Sequence, residues 1–96
     1  MRHTYLVCYD ISDDKRRERT FKVCKNYGAR LQFSVFECDL NAAELIGLQR
    51  ELSETISQSD DQVLFVSLGP TEGRGDRVIS ALGRAYTKLD APCYVV

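Results

Sequence analysis

The sequence predicts an α+β sandwich of the ferredoxin-like kind, running strand, helix, strand or strand pair, helix, strand (βαββαβ). Three observations lead there. His3 to Tyr9 and Gln62 to Leu68 are short runs rich in β-branched and aromatic residues, apolar on both faces. Between them lie two segments whose apolar residues recur at helical spacing. The whole chain has 96 residues, 44% hydrophobic and 28% charged, which suits one soluble domain and excludes a disordered chain.

In the first strand Tyr5, Val7 and Tyr9 share one face, and Leu6 and Cys8 the other. Ser12 or Asp13 can cap the helix that follows, and Asp13 and Asp14 favour the positive end of its dipole. Phe21, Cys24 and Tyr27, with Thr20 and Val23, form its apolar stripe, and Gly28 suits the position just past its end. Arg17, four residues before Phe21, belongs to the same stripe, with Arg16 at its edge; Arg19, Lys22 and Lys25 point elsewhere.

Arg30 to Leu40 is extended, with Leu31, Phe33 and Val35 alternating against Gln32, Ser34 and Phe36. The pattern fits one strand or two short ones bent near Gln32–Ser34. Asn41-Ala42-Ala43-Glu44 resembles a capping box, and Leu45, Leu48, Leu52 and Ile56 follow as a helical stripe. Gly69-Pro70 closes the strand beginning at Gln62. In the segment 70–96, Val78, Ala81, Leu82 and Ala85 suit a helix, whereas Val78, Ser80 and Leu82 suit a strand. Pro92 to Val96 reads as an additional C-terminal strand, free to extend the sheet edge of a neighbouring copy. Residues 1–96 therefore form a single domain.

Two helices cover one face of a sheet, yet two of its strands are apolar on both. A symmetric homodimer is the economical cover for the second face. No apolar run reaches the roughly 20 residues of a membrane span, and Met-Arg-His-Thr-Tyr does not open like a signal peptide. The expected location is the cytoplasm. Cys8, Cys24 and Cys38 sit inside apolar patterns, with no C-x-x-C pair, and read as buried thiols rather than disulfides or zinc ligands.

The net charge of −1 conceals unlike segments. Residues 1–38 carry a net +3 and residues 39–64 a net −5. Between Lys15 and Arg30, seven basic residues face only Glu18. Such a stripe is either a solvated helix face or a contact for a polyanion. Arg16, Arg17, Arg19 and Arg30 are the candidate nucleic-acid contacts within it.

Asp10 ends the first strand and shares a face with Leu6 and Cys8. Were that face the dimer interface, two copies of Asp10 would meet across the two-fold axis and need a cation or a proton between them. Hard oxygen ligands suit Mg²⁺ or Mn²⁺, which activates water and neutralises phosphoryl charge. Arg17 would hold an adjacent phosphate through its guanidinium. The plainer alternative makes Asp10 a turn residue bonded to nearby backbone. Tyr9 and Phe36 either stack on bases or pack in the core. Ser34 has no histidine to activate it, and the glycines from Gly69 to Gly75 match no phosphate-binding fingerprint.

The run Leu6-Val7-Cys8-Tyr9-Asp10-Ile11-Ser12-Asp13-Asp14, leading to Arg16-Arg17-Glu18-Arg19, and then Tyr27-Gly28-Ala29-Arg30-Leu31-Gln32-Phe33-Ser34-Val35-Phe36-Glu37-Cys38, closely resembles CRISPR-associated protein 2. The resemblance implies a ferredoxin-like homodimer in which Asp10 of each protomer binds a shared Mg²⁺ as the catalytic aspartate. It places Arg17, Arg19, Arg30 and Phe36 where family members have residues affecting nuclease activity. It implies a metal-dependent endonuclease on single-stranded RNA or double-stranded DNA. It also implies a partnership with the CRISPR integrase (CRISPR-associated protein 1) in spacer acquisition, where the protein holds pre-spacer DNA. Two functions follow: a nuclease working at paired Asp10, or a catalytically silent scaffold bridging the integrase. A metabolite-binding regulatory dimer, the third possibility for such a sandwich, leaves the basic stripe unexplained.

Overall fold

A computed structural model describes residues 1–73 and 79–84. Its elements are β1 (His3–Asp10), α1 (Asp14–Lys25), β2 (Ala29–Gln32), β3 (Val35–Leu40), α2 (Ala42–Thr55) and β4 (Gln62–Pro70). They form a four-stranded sheet in the order β2-β3-β1-β4, every neighbouring pair antiparallel. The expected strand at Pro92–Val96 and its exchange between protomers lie outside the described residues. So does most of the ambiguous stretch before it, although residues 79–84 carry neither helix nor strand.

The open question at Gln32–Ser34 resolves into a hairpin: β2 and β3 are separate strands joined through Phe33 and Ser34. The bend shifts the register between Arg30 and Gln32 and moves the alternation with it. Leu31 and Val35 are only half-buried. The helices are met instead by Phe36, Cys38 and Leu40, and Phe33 at the turn is 80% exposed.

Asp13, rather than Ser12, caps α1, its carboxylate accepting from the Arg16 N–H at 2.9 Å. The helix ends at Asn26. Gly28 does not adopt the left-handed backbone expected of a residue closing a helix, since its φ is not positive. Glycine is needed there because a β-carbon would collide with the Cys38 Sγ and the Glu37 carbonyl oxygen. The box at Asn41 and Glu44 forms as read, with reciprocal bonds of 2.8 and 2.9 Å.

The core lies between the helices and one sheet face. Val7, Tyr9, Phe36, Cys38 and Leu40 of the sheet meet Cys24, Leu48 and Leu52 of the helices, and Ile11 joins from the loop after β1. The α1 and α2 helices pack against each other, and Phe21 of α1 reaches Phe36 with ring centroids 5.8 Å apart. Cys24 and Cys38 are buried free thiols, pushed up from the usual thiol value by desolvation, so they pack as small hydrophobes. Among the described residues the opposite face carries no helix. There Leu64 and Val66 are 51% and 43% exposed, beside the half-buried Leu6 and Cys8 of β1.

Candidate functional site

The β1–α1 junction gathers most of the residues singled out by the sequence. Asp10 is the last residue of β1, paired with Gln62 of β4 and exposed. Strand alternation sets it on the helix-free face with Leu6 and Cys8. Ile11 buries its side chain in the core, continuing the inward set of Val7 and Tyr9.

Arg17 comes back from the first turns of α1 onto that loop. One terminal nitrogen donates to the carbonyls of Ile11 (3.0 Å) and Ser12 (3.3 Å), and the other to the Asp14 carboxylate (2.5 Å). The sequence assigned this guanidinium to a phosphate. Its contacts hold instead the loop that carries Asp10, with part of the charge neutralised by Asp14.

Arg16 turns the other way. Its guanidinium makes a two-pronged contact with Asp61, at 2.7 and 3.2 Å, and the Ser57 N–H also donates to Asp61 at 2.8 Å. The Asp61 side chain has no exposed surface, and its carboxyl is held below the ordinary range, first by Arg16 and then by the Ser57 N–H. Arg16 thus ties the start of α1 to the connection between α2 and β4, apart from the other arginines. Nothing in the sequence pairs residues 45 positions apart, so this tie was not foreseen.

On the helix side of the sheet end, between α1 and the β2–β3 hairpin, lies an open cleft of about 360 Å³. Its aromatic lining comes from Tyr9, Phe21 and Phe33, its cations from Arg17 and Arg30, and its anions from Asp14 and Glu18. The Arg30 guanidinium sits 5.0 Å from the centroid of the Phe21 ring, a cation–π distance. Tyr9 donates from its hydroxyl to the Phe33 carbonyl at 3.4 Å, and desolvation pushes its phenol up to about 12. It therefore stays neutral and keeps its proton.

Of the predicted residues, then, Tyr9, Arg17 and Arg30 come together in the cleft. Asp10 adjoins it but takes the other face. Arg19 is exposed and does not line it. Phe36 is fully buried, stacked 6.3 Å from Tyr9, so it supports the cleft from beneath and presents no ring to a base. That corrects the stacking role offered for Phe36. Phe21 was read as part of the helix's apolar stripe and Phe33 was given no role; the hairpin turn that puts Phe33 at a tip was the missing signal.

Among the described residues no group of three or more His, Cys, Asp or Glu side chains is placed to hold a metal ion. One protomer offers Asp10 as a single hard oxygen donor. Mg²⁺ commonly takes one or two carboxylates and keeps several waters. Asp10, exposed at the strand end, is a carboxylate of that kind. No helix among the described residues is long and apolar enough to cross a membrane.

Comparison with known proteins agrees with this architecture. The chain is 37% identical over 98% of its length to the CRISPR-associated endoribonuclease Cas2 1 of Rhodospirillum rubrum, covering 91% of that protein. It is 36% identical to the CRISPR-associated endoribonuclease Cas2 of Geobacter sulfurreducens, over 93% of each chain. Its fold matches the crystal structure of Streptococcus pyogenes Cas2 with a TM-score of 0.73 at 33% identity, covering 83% of this chain and 99% of that one. A hypothetical protein from Thermus thermophilus gives a TM-score of 0.76 at 32% identity, over 92% and 99% of the two chains. Residues 2–74 match the family model for CRISPR associated protein Cas2, and the chain belongs to that family.

Proposed function

We propose that this protein is a metal-dependent endonuclease that hydrolyses phosphodiester bonds of RNA or DNA and takes part in CRISPR spacer acquisition. The observation that carries the reading is the position of Asp10. It is an exposed carboxylate at the end of a central strand, on a sheet face whose apolar residues have no cover among the described residues. In the ferredoxin-like sandwich that the strand order suggests, a homodimer closing that face brings two copies of Asp10 together. Mg²⁺, or Mn²⁺, between them would activate a water and neutralise charge on a phosphoryl oxygen.

The chain's own residues then have separate tasks. Asp10 supplies the carboxylate. Arg17 fixes the loop behind it through the Ile11 and Ser12 carbonyls. Arg30 and the exposed Arg19 supply positive charge for the nucleic-acid backbone, a contact that weakens as salt rises. The names of the Rhodospirillum and Geobacter relatives support RNA as a substrate. Work in the cytoplasm beside the CRISPR integrase (CRISPR-associated protein 1), on pre-spacer DNA, is part of the same proposal.

One observation favours a second reading, a DNA-holding scaffold that is catalytically silent. Arg17 is engaged with backbone and Asp14 rather than aimed outward, which suits architecture as well as catalysis. Wild-type protein and Asp10→Asn, assayed side by side on labelled single-stranded RNA and double-stranded DNA with Mg²⁺ or EDTA, decide between them. Metal-dependent cutting that disappears in Asp10→Asn, with the dimer intact, supports the nuclease. Duplex binding without cutting by either protein transfers the function to the scaffold.

A further inference from the structure

We propose that the cleft between α1 and the β2–β3 hairpin receives one unpaired nucleobase, with Phe33 as its stacking platform, so that the protein favours single strands over duplex. The inference rests on the reading of the chain as a nucleic-acid-binding protein, but not on its cutting anything.

Phe33 is the anomaly that starts the argument. A phenyl ring 80% exposed at a hairpin tip gains nothing from folding, yet its backbone is held: its carbonyl accepts from Tyr9 at 3.4 Å. The cleft it borders has a volume of about 360 Å³, near the low end of the roughly 300–1,000 Å³ typical of small-ligand sites. That volume suits a planar heterocycle better than a backbone helix or a duplex edge.

The lining chemistry narrows the occupant. A phosphate site would be cationic. Here two guanidinium groups, Arg17 and Arg30, are matched by two carboxylates, Asp14 and Glu18, so the cleft is balanced in charge. It offers donors and acceptors together beside aromatic rings. A nucleobase has that make-up: a neutral π face and an edge carrying donors and acceptors side by side. Bases in a duplex hide both, whereas an unstacked base in a single strand presents both. Tyr9 from the end of β1 and Asp14 and Arg17 from the start of α1 line the cleft, so a base there would leave its flanking backbone at the β1–α1 junction.

The test is fluorescence-anisotropy titration in EDTA, so that cleavage does not intrude. The probes are a short labelled single-stranded RNA, the same strand annealed into duplex, and the same strand with abasic positions. Phe33→Ala should bind the single strand about 5- to 150-fold more weakly, the span of one base–aromatic stack, and the duplex as wild type does. Phe33→Trp should restore single-strand binding. The abasic strand should bind wild-type protein as weakly as the intact strand binds Phe33→Ala. Unchanged single-strand binding by Phe33→Ala, or equal loss on both strand forms, overturns the proposal. Equal loss accompanied by monomerisation would show that Phe33 serves contact between copies instead. Asp10→Asn separates the two readings. If it still cuts while Phe33→Ala loses the single strand, the nuclease assignment alone fails; the reverse pattern removes the base receptor alone.

Discussion

Strands β1 and β4 are apolar on both faces of the sheet, and the faces meet opposite fates. On one, Val7, Tyr9, Phe36 and Cys38 lie beneath two helices and are almost wholly buried. On the other, Leu6 and Cys8 are half-buried, and Leu64 and Val66 stand about half exposed. Among the described residues only the end near His3 is closed, where buried Thr4 bonds to Asp39 at 2.6 Å and to Thr71 at 2.9 Å. The difference teaches that apolar alternation reports a demand for cover, and that the chain meets the demand once by itself. The second cover has to come from outside the described residues, and Asp10 stands at its margin.

Truncation on the covered face should break this contrast most severely. Phe36→Ala removes a fully buried ring in contact with Tyr9 and Phe21, and should destabilise the fold by about 3–5 kcal/mol in denaturant titration. Leu64→Ala on the open face should change the stability of the isolated chain far less, within about 1 kcal/mol, because half its surface is already wet. A comparable loss at both positions would mean that the open face is covered as thoroughly as the core.

A charge on the open face sharpens the comparison. Leu64→Asp should leave the helix-covered core folded, as circular dichroism would show, while weakening self-association at least tenfold in sedimentation. An unaltered association constant would remove this face as the dimer contact.

Arginines on the two sides of the β1–α1 junction provide a third contrast. Arg17 bridges two carbonyls and a carboxylate, a geometry that a lysine cannot reproduce. Arg17→Lys should therefore cut turnover on RNA about tenfold, as Arg17→Ala should, while keeping more of the salt-dependent binding. If Arg17→Lys cleaves as well as wild type, the residue acts as a point charge on phosphate rather than as a clamp on the loop.

The smallest expected effect is a pH dependence. Asp61 has a lowered carboxyl value in the folded state, held there by Arg16 and the Ser57 N–H. Its contribution is complete above the unfolded value of about 3.9 and fades as pH falls through the lower folded value. The melting temperatures of wild type and Asp61→Asn should therefore differ by a constant amount from neutrality to about pH 4–5 and converge below that. A gap that instead grows on acidification would show that the ion pair does not carry the difference.

Much of the fold was legible because its signals are local. The capping box at Asn41–Glu44, the stripe Leu45-Leu48-Leu52-Ile56 and the two-faced strands depend on near neighbours, and each formed as read. Two local readings failed for non-local reasons. Gly28 looked like a helix-closing glycine, but β3 passes too close for any side chain. Phe36 was offered as a ring that could stack on a base, but the hairpin bend sent it inward beneath the helices. Of the site, Tyr9, Arg17 and Arg30 were named in advance; that they share a cleft, and that Arg16 leaves it for Asp61, was not visible.

The sequence by itself determined the order of elements, the excess of apolar strand surface, and Asp10 at a strand end beside a basic helix. These follow from periodicity, capping chemistry and charge density, which act over a few residues. Tertiary structure alone decided which guanidinium binds backbone, which binds a carboxylate and which lies against an aromatic ring. Those choices depend on groups far apart in the chain brought within about 3 Å, where hydrogen-bond geometry selects one partner from several of equal charge.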